Sequence, residues 1–123
     1  MSTYAERLDA TREFFPFSLW ATYDDDMEQY SEQNCAVAEA ILDRLLAELA
    51  AIGEHASEAA KVAKFRESVE ALNALNDDIG GNFIETGECE ELCELYDRIA
   101  SVAGLDPTRY GGGEGLASEW REW

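Results

Sequence analysis

Between Tyr30 and Ile52 the apolar residues fall at Tyr30, Val37, Ala38, Ile41, Leu42, Leu45, Leu46, Leu49 and Ile52. Steps of three and four lay these side chains in one stripe along a helix, whereas a strand would send them to both of its faces. One long helix is therefore expected at the centre of the fold. Asp24, Asp25 and Asp26 stand where an N-cap and an acid-favoured first turn belong, and Gly53 stands where a left-handed residue ends a helix. A helix from Asp26 to Ile52 would run about 40 Å, with a kink anticipated near Asn34-Cys35.

Two further stripes follow. Ser57 caps a pattern of Val62, Phe65, Val69, Leu72, Leu75 and Ile79 that stops at Gly80-Gly81. After Thr86 comes a third, with Cys89, Leu92, Cys93, Tyr96, Ile99, Ala100 and Ala103 on one face, and Gly104 closes it. The short connection between the first two implies antiparallel packing. Upstream, Tyr4, Leu8 and Thr11 mark a short helix that Pro16 must end or bend, ahead of the dense apolar run Phe14 to Trp20. Downstream, residues 111–115 read as a glycine-rich flexible connection to a short tail carrying Trp120 and Trp123. No alternating pattern of useful length appears. The expected fold is an all-α compact bundle of about four helices, one of them long and central, with residues 1–123 forming a single domain and a Trp-containing C-terminal segment.

Charge narrows the function further. Lys and Arg number 9 against 27 Asp and Glu, a formal charge of −18. On a folded surface of roughly 6,600 Å² that is about one carboxylate per 250 Å², a potential that repels nucleic acid and anionic lipid. Direct nucleic-acid binding is not expected. No apolar run reaches the length of a membrane span, and no basic region followed by an apolar stretch marks a secretory signal, so a cytoplasmic, membrane-free location is expected. The 3 cysteines fit reduced thiols better than a disulfide framework.

No catalytic signature emerges. The 1 histidine, His55, falls in a turn, with no spacing that favours pairing to Cys35, Cys89 or Cys93. Cys89 and Cys93 share a helix face and could hold a soft metal, yet both lie in the apolar stripe, where cysteine acts as a small hydrophobe, and no second ligand pair occurs. No Glu-x-x-His appears for a carboxylate-bridged site. A calcium loop counted from Asp24 would place Gln29 and Cys35 where Gly and an acid are required, and the glycines at 111–115 lack the Lys-Ser/Thr ending of a phosphate loop. No metal, cofactor or enzymatic activity is expected.

The distribution of acids is more informative than their number. Between Arg12 and Arg44 lie 8 acids and no base, and between Arg66 and Arg98 lie 10 acids and no base. Helical spacing puts Glu28, Glu32, Glu39 and Asp43 opposite the central stripe, and Glu90, Glu94 and Asp97 opposite the last one. Like charges at i,i+4 cost a few tenths of a kcal/mol each. A basic protein partner would explain that cost, with Trp120 and Trp123 as anchors and a homodimer as a further arrangement. In size, acidity and helical content the chain resembles the immunity proteins that neutralise bacterial nuclease toxins, and equally a DNA mimic occupying a phosphate-binding groove. That resemblance implies an inhibitor of a nucleic-acid-handling protein. The alternative is acidity as a solubility or salt adaptation, with a small-molecule or enzymatic role in a pocket near Cys35, His55 or Cys93. The tail's alternative is to fold back against Phe14, Phe15 and Trp20.

Overall fold

The computed structural model describes residues 3–23 and 28–123, and every regular element among them is helical. Helix α1 (Tyr4–Ala10) runs into a 3-10 turn at Thr11–Phe14, and α2 (Phe17–Trp20) is one turn long. Pro16 separates the two, as a residue without an amide hydrogen must. A 3-10 turn at Glu28–Tyr30 leads into three long helices, α3 (Glu32–Ile52), α4 (Glu58–Ile79) and α5 (Thr86–Ala103). Short 3-10 turns at Pro107–Arg109, Gly111–Gly113 and Leu116–Glu119 complete the described chain. This is the expected all-α bundle. Among the described residues no helix is long and apolar enough to cross a membrane.

The central helix starts later than its acids suggest. Ser31 accepts the Asn34 amide at 3.1 Å, so the first turn of α3 forms at Glu32. Asp24, Asp25 and Asp26 lie outside the described residues, and the position anticipated for a kink is occupied by that first turn. The buried face of α3 is also rotated from the expected stripe. Cys35, Ala38, Leu42, Leu45, Leu46 and Leu49 are buried, while Val37 is 43% exposed. The cause is that α1 and α2, as well as α4, pack on α3 and draw an adjoining arc of its surface into the core.

Helices α3 and α4 run antiparallel, with Lys64 facing Glu48 at 3.9 Å near the start of one and the end of the other. Helix α5 turns back against α4. Near mid-length the Ser68 and Tyr96 hydroxyls meet at 2.8 Å, and at the connection the buried Asn76 side chain accepts the amides of Phe83 and Ile84 at 3.0 and 2.9 Å. Phe17, Trp20 and Phe83 fill the space beneath in edge-on contacts, with ring centroids 5.3 and 5.4 Å apart.

At the opposite end, Lys61 is 7% exposed and its Nζ donates to Glu54 O and Ala103 O, both at 2.6 Å, 5.8 Å above the Tyr4 ring. One ammonium thus satisfies carbonyls at the exits of α3 and α5, where helix dipoles favour a cation.

Residues 111–123 are not a loose tail. Leu116 and Ala117 are buried, and the Leu116 amide donates to Asp97 Oδ1 at 3.1 Å. Gly115 has φ +118°, and a Cβ there would lie 2.7 Å from Asp97 Oδ1. Gly115 packs against α5 and Gly111 against Ser118, so the two ends of the glycine stretch sit where a side chain would clash.

Lys61→Met should lower stability by about 2 kcal/mol, since two carbonyls lose a charged donor. Urea midpoints would record it; an unchanged midpoint would remove Lys61 from the joint.

Candidate functional site

The antiparallel order of the long helices decides where charge collects. The starts of α3 and α5 and the end of α4 share one pole, and the two base-free stretches of sequence meet there. Glu28, Glu32, Asp77, Asp78, Glu85 and Glu90 are exposed on it. Glu91 is half-buried and Glu88 is buried. Among the described residues none of these eight acids forms an ion pair. The ion pairs instead lie along the body and the other pole, such as Arg7 with Glu54, Arg44 with Glu48 and Arg66 with Glu70.

Helix ends explain part of this arrangement. Glu32 sits in the first turn of α3, and Glu85 and Glu88 form a reciprocal capping box on α5. Each carboxylate there faces the positive end of a helix. Asp77 and Asp78 lie at the opposite, unfavourable end of α4. Between them and the α3 entrance lies an open cleft of about 480 Å³ lined by Glu28, Gln29, Asn34, Asp78, Ile79 and Asn82.

Glu88 anchors the pole to the core. Its carboxylate accepts the Tyr30 hydroxyl at 2.8 Å, the Tyr23 hydroxyl at 3.4 Å and the Glu85 amide at 3.3 Å. Trp20 Nε1 reaches Glu91 at 3.4 Å. These donors are neutral, so Glu88 is solvated by phenols without being matched by a cation. Burial, then the hydrogen bond to Glu88, holds the Tyr30 phenol well above its ordinary range.

The expected rows of acids on two outward helix faces do not form. Glu28 precedes α3 in its own turn, Glu39 is half-buried in a cleft against α2 with Glu32, and Asp43 pairs with Arg12 of the N-terminal segment. On α5, Glu94 pairs with Arg98 at 2.9 Å and Asp97 lies under the 111–123 segment. Only Glu28, Glu32 and Glu90 of the expected acids stand free at the pole. The sides meant to carry the rows are covered by α1 and α2 on α3, and by the tail on α5. Asp77, Asp78 and Glu85 complete the surface; their signal in the sequence was the base-free stretch itself, read together with helix ends rather than helix faces.

The remaining candidates disperse. Trp120 and Trp123 are half-buried, docked on α4 and α5 rather than on the Phe14 to Trp20 run: Asn73 Nδ2 donates to Trp120 O at 3.0 Å, and the Glu122 amide donates to Asn73 Oδ1 at 3.1 Å. Cys35 is buried beside Tyr30, and burial pushes its thiol up to about 11. Cys35 lines the cleft between α2 and α3, Cys93 is half-buried beneath the tail, and His55 is exposed in the α3–α4 turn at the other pole. Among the described residues no three His, Cys, Asp or Glu side chains cluster to hold a metal. No family model, curated protein or solved structure matches this chain.

Tyr30→Phe should cost about 1–2 kcal/mol at pH 7 by taking a donor from Glu88. Because the folded state keeps the phenolic proton longer than the unfolded chain, this stabilisation is complete below about pH 10 and fades above it. The urea midpoint of the wild type should therefore fall more steeply from pH 9 to 11 than that of the variant. Parallel falls would exclude the Tyr30–Glu88 bond as a source of stability.

Proposed function

We propose that the acidic pole is a docking surface for a basic protein, and that the chain acts by binding, as an inhibitor of a nucleic-acid-handling protein would. The observation that carries this reading is the convergence on one pole of exposed acids from both base-free stretches, none of them in an ion pair among the described residues, while the ion-paired bases lie elsewhere. Uniform acidity for hydration alone needs no such segregation. A pole with six exposed carboxylates that form no ion pair among the described residues raises the local concentration of a cationic partner and speeds encounter. Its carboxylates also present to that partner the charge that a phosphate backbone would. Glu88, Tyr30 and Tyr23 hold the α5 start against the core, so the surface is preorganised and loses little entropy on docking.

Binding should depend on the pole and on salt. The immobilised chain, exposed to its native cytosol at about 0.05 M salt, should retain a basic protein that is released at 0.5 M, where the Debye length falls to about 4 Å. The triple variant Glu28→Lys, Asp78→Lys, Glu90→Lys should weaken retention at least about tenfold, because rim charges govern association. A control with the same net charge, Glu6→Lys, Glu13→Lys, Glu114→Lys, should retain it. Equal loss in both variants, or no specific protein at low salt, would overturn the proposal. Competition by duplex DNA for the retained protein would establish that the partner handles nucleic acid.

A further inference from the structure

Two sulfurs and a guanidinium meet where the 111–123 segment crosses the first turns of α5. Arg121 Nη1 lies 3.2 Å from Cys89 Sγ and donates to Trp123 O at 2.6 Å, while Arg121 Nε donates to Ser118 Oγ at 3.1 Å. Cys93 lies one helical turn further along α5, on the same face. Cys89 Sγ itself approaches Trp123 O at 3.8 Å. The arrangement is not that of a filled core. A guanidinium is a strong donor and a sulfur a weak acceptor, so the contact sets a permanent cation against a nucleophilic sulfur.

We propose that Cys89 is a thiol-modification site that reacts with small-molecule disulfides, and that its mixed disulfide unlatches residues 116–123 from α5. In the step itself the Cys89 thiolate attacks one sulfur of the reagent disulfide. A new S–S bond to Cys89 forms, the reagent's S–S bond breaks, and the departing sulfur leaves as a thiolate that takes a proton from water. No other oxidant is required.

The three cysteines are set apart by their surroundings. Cys35 is 3% exposed and faces no cation. Burial first, and then the neighbouring Cys89, push the Cys93 thiol up to about 12. Cys89 is half-buried, with the guanidinium against its sulfur. An internal Cys89–Cys93 disulfide is opposed by the helix, since Cβ atoms at i,i+4 lie about 5–6 Å apart and a disulfide needs about 3.5–4.5 Å. A reagent group on Cys89 has no room beneath Arg121, so the guanidinium and the Trp123 carbonyl must move. Docking is also imperfect in a way that favours release: Trp123 Nε1 is buried with no hydrogen-bond partner among the described residues, a cost that exposure to water removes.

The test uses the full chain and the neutral reagent 4,4′-dithiodipyridine, whose lack of charge makes the rate insensitive to the overall acidity. One thiol should react at least about tenfold faster than the other two, as expected for a thiol beside a cation. Mass mapping of the wild type should place the first adduct on Cys89. Cys89→Ser should abolish the fast phase, while Cys35→Ser and Cys93→Ser keep it. Arg121→Gln should slow the phase several-fold and Arg121→Lys should restore much of it. In the modified wild type, the amides of Leu116 and Glu122 should lose protection from hydrogen exchange, and treated Cys89→Ser should keep it. First modification at Cys93 or Cys35 would overturn the assignment. A faster reaction in Arg121→Gln would show that the guanidinium only shields the sulfur, and unchanged exchange after modification would refute the unlatching.

Discussion

A single buried ammonium fixes the direction of the three long helices. Lys61 projects from the second turn of α4 and donates to the last carbonyl of α5 and to a carbonyl just past α3. The Ala103 carbonyl would otherwise be buried without a donor, at a cost of about 1–3 kcal/mol. With the ends of α3 and α5 tied to the start of α4, the other ends must share the opposite pole. Everything in the charge distribution follows from that geometry. The stretches 13–43 and 67–97 are separate in sequence and free of bases, and the fold brings Glu28 of the first beside Asp78 of the second.

Such a pole is tolerable because its repulsion is shared among helix termini. The carboxylates of Glu32, Glu85 and Glu88 lie at helix N-termini, where each is stabilised by roughly 0.3–1 kcal/mol. Asp77 and Asp78, at a C-terminus, receive the opposite effect. Glu88 would be the most expensive charge of all if unsolvated, and it is the one given two phenolic donors and a backbone amide. The edge-on contacts of Tyr30 with Trp20 and Tyr23, at 6.1 and 4.8 Å, hold those phenols in place. The aromatic core is thus also the scaffold of the acidic surface.

Much of this was legible in the residues, and the rest failed for definable reasons. The lower edge of α3, both edges of α4 and the end of α5 follow from Gly53, Ser57, Gly80 and Gly104, because capping is local chemistry that sequence records directly, whereas α5 begins at Thr86 itself with Glu85 as its cap. The start of α3 was misplaced because three aspartates and one serine are all competent caps, and the contest is settled by which hydroxyl can reach an amide. The rotation of its buried face was hidden because periodicity reveals that a stripe exists, not how many neighbours widen it. Helical wheels placed Asp43, Glu94 and Asp97 outward correctly with respect to their own helices. They are nonetheless neutralised or covered, by Arg12, by Arg98 and by the Leu116 amide. Two of those partners are distant in sequence, and no local pattern encodes them.

The tail shows the same limit from the other side. A run of glycines permits flexibility, but it also permits the closest backbone approach, and composition does not choose between them. Here the choice is made by Asp97 and Asn73, polar side chains on two different helices. Asp97 takes the Leu116 amide, and Asn73 bonds the chain on both sides of Arg121. Burial raises the Asp97 carboxyl above its usual range, with the Leu116 amide opposing that rise, so holding the segment down carries a charge cost at neutral pH. A segment seated on a desolvated carboxylate, with Trp123 Nε1 unpaired, is bound less firmly than its buried leucine and alanine suggest. The tail is therefore the part of the molecule whose position a single local change at α5 can alter, while the Lys61 joint and the aromatic core remain as they are.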